Sequence, residues 1–513
     1  MTTVSFNQGS ITGVIDDGVR LFGGIQYAEP AIGARRFRRP TLRSLSGDID
    51  ARQVGPSLPQ LACFGGIGAV YTSTVPSTEG ALTLNVRTPD TGDTGLPVLV
   101  WLHGGGFALG AGSDPTYQHG AFARDGVIEV TVNYRLGIEG FGCFDDPVHG
   151  TVANLGLQDQ IAALRWVQDH IHLFGGDPSR VTLAGHSAGA ISVALLMGSP
   201  LARGLFSKAI VQSAAAPMAI DTASASGVSG YLAEVLGVRS QDTDALAALP
   251  PDVVLDAQQR LSNESFDRVN LERFGLAGRT GMAFVPVIDG EIITGDPMAA
   301  LASGAATGVD VLGGWARDEV MLHLDHAMGC ATPDDATGAF MLDAIAGGFG
   351  PFAAEIIDTY RSIRPDLSDF RLAGAINSDA AFGQATLAVI ELASLHANAY
   401  MYRFDEPTVL EGRDLGAIHG SELGYVFANH DDPMSQRLSG TVNPGLAHAV
   451  HNAWRTFIAD GRPTAAGLPD WARYEQSTRA TMLLASTGSN LTSDPAGRER
   501  ALWTRVFTAL AAG

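Results

Sequence analysis

The sequence predicts an α/β protein: one large, mostly parallel central sheet with helices on both faces. Three observations predict it. Apolar runs of strand length alternate with helical patterns along the chain, and strands separated by helices pair in parallel. The 513 residues contain no Pro-rich, Ser-rich or single-charge tract and no repeat at solenoid periods. Length by itself suggests two to four domains of about 150 residues, but with no linker to cut at, the reading is one domain over 1–513. The composition, 45% hydrophobic and 17% charged, is that of a compact globular protein.

The elements follow in order. Residues 10–40 hold short β-like runs between turns, and Val98–Leu102 and Val127–Tyr134 read as buried strands. Over 157–173, Leu157, Ile161, Leu164, Val167 and Ile171 recur at helical spacing, and Gly175-Gly176-Asp177-Pro178 stops that helix. Val181-Thr182-Leu183-Ala184 is a strand, Ala190–Leu196 a helix and Ala209–Val211 a strand. Residues 226–262 and 336–397 read as mostly helical, Val309–Gly313 and Ala399–Phe404 as strands, and 444–460 as a helix.

Between the strand at 181–184 and the helix at 190–196 stands Gly185-His186-Ser187-Ala188-Gly189. A serine between two glycines at a strand-to-helix turn fits a nucleophile elbow. The turn is strained, and its glycines let backbones pass closely. Ser187 Oγ is thereby exposed at the positive end of a helix. Upstream, His103-Gly104-Gly105-Gly106-Phe107 follows the strand Val98–Leu102. Acyl transfer passes through a tetrahedral oxyanion, and each preorganised N–H donor is worth about 3–4 kcal/mol of barrier. A glycine run offers such donors uncovered.

A serine hydroxyl needs a base, and the base an orienting acid. Seven histidines follow Ser187: His323, His326, His396, His419, His430, His448 and His451. His419 stands out in the Gly-flanked loop Gly416–Glu422 after the strand at 399–404. For the acid, Asp318 and Glu319 follow the strand Val309–Gly313, and periodicity does not choose between them.

Net charge is −21, from 33 Lys and Arg against 54 Asp and Glu. Such a surface repels phosphate backbones and anionic membranes, which argues against a nucleic-acid or membrane partner. The start Met1–Asn7 has no basic and apolar regions of a secretory signal, and no apolar run approaches a membrane span. Three cysteines, Cys63, Cys143 and Cys330, make no disulfide framework. A cytoplasmic location is expected.

These motifs and others resemble the type-B carboxylesterase family, the esterase/cholinesterase branch of the α/β-hydrolase fold, and its bacterial, para-nitrobenzyl esterase-like members. The resemblance includes Gly24–Ala28, Arg36-Phe37, Leu82–Val86, His103–Phe107, Asn133–Gly137, Asn154 to Gln160, Phe174–Pro178, Phe284–Gly290, Trp454 and Trp471. It implies an α/β-hydrolase sheet with helical excursions over the active site. It further implies a serine hydrolase of carboxylic esters with Ser187 as nucleophile, His419 as base and Glu319 as acid. The N–H groups of Gly105, Gly106 and Ala188 would form the oxyanion hole. Ser213, in Val211-Gln212-Ser213, would support the site by hydrogen bonding. No cofactor and no metal are implied; the partner is a small-molecule ester or carbamate, and the assembly a monomer or homodimer.

Several departures bear on specificity. His186 stands where the family usually has Glu, which argues against a preference for cationic substrates; it is expected to support the site rather than act as base. Thr78-Glu79-Gly80 replaces a Glu-Asp-Cys segment, so Cys63 lacks its usual disulfide partner. Val320 and Ala214 stand where Gly is common. Phe107, Met218, Leu322 and His323 are expected to line the pocket. Some bacterial members act on aryl carbamates and other xenobiotics, so carbamate or aryl-amide cleavage by the same triad is the alternative. A non-catalytic binding relative would lack triad residues. Hormone-sensitive-lipase-like esterases are shorter and keep acid and base closer together than Glu319 and His419. The pairs His323/His326 and His448/His451 lie one helical turn apart without a third ligand nearby, and read as exposed helix histidines rather than a zinc site.

Overall fold

Consecutive apolar strands, buried at nearly every position, build the centre of the molecule. The computed structural model describes residues 1–60, 82–266, 282–327, 329 and 334–512. The strands of its first half are β1 (Thr2–Phe6), β2 (Gly9–Asp16), β3 (Val19–Gln26), β4 (Gly47–Asp50), β5 (Thr83–Pro89), β6 (Leu96–Leu102), β7 (Ile128–Val132), β8 (Phe144–Asp146) and β9 (Gly150–Val152). There follow β10 (Gly176–His186), β11 (Lys208–Gln212), β12 (Asp310–Ala316), β13 (Ala399–Phe404), β14 (Thr408–Leu410), β15 (Arg413–Gly416), β16 (Ala480–Leu484) and β17 (Asn490–Ser493).

Thirteen strands form one sheet in the order β1-β2-β3-β5-β7-β6-β10-β11-β12-β13-β16-β17, with β4 beside β2. The stretch β7-β6-β10-β11-β12-β13-β16 is parallel throughout, and antiparallel strands flank it at both ends. The pairs β8/β9 and β14/β15 are separate antiparallel hairpins.

The period of two along a strand divides the core. Val98, Val100, Leu102, Val181, Leu183, Val211 and Met401 face one cluster, which also holds the apolar side of the helix Leu155–His170 and most of the helix Ala188–Gly198. Leu99, Trp101, Ala184, Ile210, Leu312, Tyr400 and Tyr402 face the other, completed by Val450, Trp454 and Phe457 of the helix Pro444–Asp460. Both faces of the parallel strands are therefore covered, as the near-continuous apolar runs require. A third cluster joins the helical excursion, formed by the helices Asp335–Gly347, Ala353–Ile363 and Asp369–Ser378 and the π-turn that follows, to the C-terminal helix Gly497–Ala512 through Leu342, Ile356, Tyr360, Leu372, Trp503 and Val506.

Boundaries differ from the sequence expectations where caps and tertiary pairing act. The strand expected over 127–134 pairs only through Ile128–Val132. The helix expected at 157–173 starts at Leu155, ends at His170 and tightens into a 3₁₀ turn at Ile171–Phe174, closed by Gly175 at φ 91°. The run 226–262 is three helices, Thr222–Val235, Thr243–Ala248 and Pro251–Phe266; Asp221 and Asp242 cap the first two, and Pro251 opens the third. Among the described residues no helix is long and apolar enough to cross a membrane. Cys63, Thr78-Glu79-Gly80 and Cys330 lie outside the described residues, and Cys143 is a buried free thiol.

Candidate active site

β10 ends at His186 and the helix begins at Ala188, so the whole reversal falls on Ser187. Its backbone takes φ 56° and ψ −121°, a combination that strains any residue with a Cβ. The flanking glycines are sterically required. A Cβ on Gly185 would lie 2.5 Å from the Gly189 carbonyl carbon, and one on Gly189 would lie 2.0 Å from the Leu102 oxygen. The Ser187 amide donates to the Gln212 carbonyl of β11 at 2.9 Å, tying the elbow to the neighbouring strand.

The glycine loop after β6 abuts this turn: a Cβ on Gly104 would stand 3.2 Å from Ser187 Cβ. Gly105, Gly106 and Phe107 take φ of 113°, 60° and 59°. The Gly105 carbonyl turns inward to accept from the Ala108 and Leu109 amides at 3.0 and 3.1 Å. The Gly105 and Gly106 amides have no protein acceptor among the described residues. Ala188, first in its helix, has no intrahelical acceptor either. His103 is a structural anchor of this loop. Its Nδ1 lies 2.8 Å from the Gly104 oxygen, its ring stacks on Tyr134 with centroids 4.3 Å apart, and burial lowers its pKa to about 4.

The turn after β12 separates the two adjacent carboxylates. Glu319 is fully buried; its Oε1 accepts from the Ala316 amide at 2.9 Å and its Oε2 lies 2.5 Å from His419 Nδ1. Asp318 turns away to hold the histidine loop: its amide donates to the Ala417 oxygen at 2.8 Å, and its Oδ2 accepts from the Ala417 amide at 3.0 Å and from Arg317 Nε at 2.9 Å. The His419 amide closes the arrangement on the Glu319 carbonyl at 3.1 Å. His419 therefore meets Glu319 and not Asp318. Ser187 Oγ makes no hydrogen bond among the described residues; such contacts commonly tighten only when substrate binds.

Among the described residues three rings surround His419: His186 with centroids 4.4 Å away, Phe382 at 4.7 Å and His323 at 6.2 Å. Burial first, then proximity to His419, keeps His186 uncharged well below the ordinary histidine range. His323 keeps part of its surface accessible, but its Nδ1 is enclosed, and burial followed by His419 and His326 lowers its pKa to about 3. Ser213 Oγ is buried and has no hydrogen-bond partner among the described residues; its amide donates to the Gly314 oxygen at 2.8 Å. Phe107 and Met218 lie in the main core cluster, Phe107 against Phe141 at 4.5 Å, and Leu322 lies in the cluster on the opposite face.

The expectation of exposed helix histidines is corrected. His448 is exposed, but His451 is 4% exposed, with Nδ1 2.7 Å from the Val426 oxygen and Nε2 3.0 Å from Asp125 Oδ2. It shares the inward face of its helix with Val450 and Trp454, and its partners come from distant segments. His323 and His326 are half-buried. Three residues near the site had no role assigned from the sequence: Phe382, Gln212 and Glu422. Gln212 accepts from Trp454 Nε1 at 3.0 Å and donates to Glu422 Oε1 at 3.3 Å. The Glu422 carboxyl is pushed up to about 7 by burial and then by the Glu319 charge.

The family model described as "Carboxylesterase family" matches residues 1–503. The chain belongs to the carboxylesterase family. It is 34% identical over 509 residues to para-nitrobenzyl esterase of Bacillus subtilis (strain 168), covering 97% of both chains. It is 32% identical over 504 residues to phenmedipham hydrolase of Pseudarthrobacter oxydans, covering 95% of each. Among solved structures, a PNB esterase superposes with a TM-score of 0.80 at 32% identity over 98% of this chain and 99% of that one. The Geobacillus stearothermophilus carboxylesterase EST55 superposes with 0.83 at 32% identity, over 98% and 100%. The mostly parallel sheet is thus that of an α/β-hydrolase, and this carboxylesterase is a carboxylic ester hydrolase.

Proposed function

We propose that this carboxylesterase cleaves small-molecule carboxylic esters by two-step acyl transfer, with Ser187 as nucleophile, His419 as base and Glu319 as orienting acid. The contact between His419 Nδ1 and buried Glu319 Oε2 at 2.5 Å carries the reading. It leaves Nε2 as the nitrogen free to take the Ser187 proton, and it stabilises the imidazolium formed when it does. The serine oxygen then attacks the ester carbonyl, and the carbonyl oxygen becomes an oxyanion facing the Gly105, Gly106 and Ala188 amides. Collapse expels the alcohol, which receives the proton from His419. Water, deprotonated by His419, attacks the acyl-serine and releases the acid. The Gly105 and Gly106 amides, without a protein acceptor among the described residues, and the strained Ser187 backbone support these assignments. A carbamate carbonyl can enter the same sequence of steps, and a screen of esters against carbamates separates the two substrate classes.

Stopped-flow hydrolysis of p-nitrophenyl acetate and butyrate, followed by intact mass, tests the roles. Wild type is expected to show a burst and an acyl adduct. Ser187→Ala is expected to show neither and to lose turnover by several orders of magnitude. A merely tenfold loss would remove Ser187 as nucleophile.

A further inference from the structure

His186 ends β10 immediately before Ser187 and is 2% exposed. The glycine loop and the histidine loop both close on it. A Cβ on Gly104 would sit 3.2 Å from its Nδ1, and one on Gly420 would sit 3.3 Å from its Cε1. Its ring lies against that of His419, with planes at 40°. Its Nε2 is enclosed and has no hydrogen-bond partner among the described residues. An unpaired buried nitrogen costs stability, so packing gives no reason for an imidazole here in place of an apolar ring.

Among the described residues the charged and titratable groups facing His419 are few. Glu319, from the turn after β12, occupies Nδ1. His323, from the helix Met321–Ala327, faces it as a neutral ring. Glu422, from the turn that follows His419, acts on it through space. Phe382, from the π-turn Asp379–Gly383, closes a further side without charge. His186 covers the side next to the nucleophile. A carboxylate there would stand within the 4–6 Å range over which an opposite charge holds a histidine protonated, by about 1–3 pH units.

We propose that His186 is a positioning residue: it covers one side of His419 with an uncharged polar ring, so that the base sheds its proton and works at lower pH than it would beside a carboxylate. The proposal rests on the reading of His419 as the base. The polar ring also suits a base that becomes cationic in each half-reaction, since it tolerates the transient charge without holding it.

The test is kcat/KM for p-nitrophenyl butyrate from about pH 5 to 9 in wild type, His186→Glu and His186→Gln. His186→Glu is expected to move the acid limb upward by about one pH unit or more, and His186→Gln to keep the wild-type limb at an altered plateau. The proposal is overturned if His186→Glu keeps the wild-type limb, including the case in which it instead gains activity on esters of quaternary-ammonium alcohols; that would mean residue 186 faces substrate rather than the base. A His186→Gln limb that moves as far as that of His186→Glu would equally overturn it, because ring packing and not charge would then set the limb. Wild-type protein labelled with [¹⁵N]histidine gives a readout that needs no folded variant. His186 is expected to remain neutral across the pH range in which His419 titrates, and a His186 that takes a proton first sinks the proposal. Failure of the base reading is distinguishable, because it appears as turnover that survives His419→Gln.

Discussion

His419 and Glu319, a hundred positions apart in the chain, meet through Nδ1 and Oε2 at 2.5 Å, while Asp318, next to Glu319, bonds the backbone of Ala417. The divergence is a consequence of the turn after β12. Adjacent side chains on a tight turn point apart; one reaches under the imidazole and the other ties down the strand-end loop that carries it.

That geometry predicts unequal effects of two conservative substitutions. Glu319→Gln keeps an acceptor for the Ala316 amide but presents an amide to Nδ1 in place of a carboxylate, favouring the wrong tautomer. Its kcat/KM is expected to fall by roughly 10³–10⁴-fold. Asp318→Asn retains an oxygen for the Ala417 amide and loses an ion pair with the partly exposed Arg317. It is expected to change kcat/KM by less than about tenfold. Steady-state assays of the two variants on one p-nitrophenyl ester check this, and a larger loss for Asp318→Asn would reassign the acid.

The glycines of the elbow predict a second contrast. Alanine is the best helix former, so Gly→Ala within a helix ordinarily stabilises by up to about 1 kcal/mol. At Gly198, where a Cβ would meet Ala300 Cβ at an ordinary 3.5 Å, Gly198→Ala is expected to keep or slightly raise Tm. At Gly189 the same Cβ would lie 2.0 Å from the Leu102 oxygen and 2.8 Å from the His103 oxygen. Backbone does not yield as a flexible side chain does, so Gly189→Ala is expected to cost at least the about 1–3 kcal/mol of an overpacked core and to abolish turnover by displacing the elbow. Thermal melts of both variants decide; equal Tm values would mean that the helix start moves freely.

What the sequence carried, and what it did not, divides along this line. The elbow and the glycine loop were legible because their chemistry demands backbone geometry that glycine alone permits, and glycine leaves a mark in the sequence. His419 was legible as a histidine in a Gly-flanked strand-end loop. The choice of Glu319 over Asp318 rested on resemblance, since neighbouring residues share every periodic signal. Phe382 and Gln212 were not legible, because each reaches the site from a segment whose local pattern is that of a helix or a strand with no chemistry of its own; Glu422 shares the loop of His419, but nothing local marks its carboxyl as buried. His451 was misread for the same reason: its partners, Asp125 and Val426, lie far away or beyond a turn.

The motifs Asn133–Gly137 and Asn154 to Gln160 find their purpose in one buried pair. Asp159 Oδ2 accepts from the Arg135 amide at 3.0 Å and Nε at 2.7 Å, and its Oδ1 accepts from Nη2 at 2.6 Å, with both side chains at most 2% exposed. Arg135 also donates to the Arg38 carbonyl at 2.7 Å. Asp159→Ala leaves a guanidinium buried and uncompensated, and is expected to destabilise by about 3–5 kcal/mol. Arg135→Lys loses the two-pronged geometry and is expected to destabilise as well. Denaturant unfolding followed by Trp fluorescence checks both, and a variant as stable as wild type would mean that the pair does not secure the segment after β7.

The helical excursion contains a carboxyl whose titration opposes folding. Asp379 is buried, accepts from Tyr360 OH at 2.5 Å, and is pushed up to about 6, chiefly by burial; Tyr360 in turn accepts from Trp503 Nε1 at 2.8 Å. An unfolded chain releases this proton near the ordinary carboxyl value of 3.8. Between those two values the folded protein therefore holds more protons than the unfolded one, and stability falls as pH rises through the window. Two pH units correspond to about 3 kcal/mol, lost by pH 7 and regained on acidification below about 4. Asparagine can accept the same Tyr360 hydrogen bond and does not ionise. Relative to wild type, Asp379→Asn is thus expected to gain Tm progressively from about pH 4.5 to 7.5, with the difference levelling above the Asp379 titration. Paired melts across that range measure it. A Tm difference independent of pH would show that Asp379 is already ionised in the folded state and that Tyr360 and Arg364, whose charge favours the carboxylate, stabilise it more than burial disfavours it.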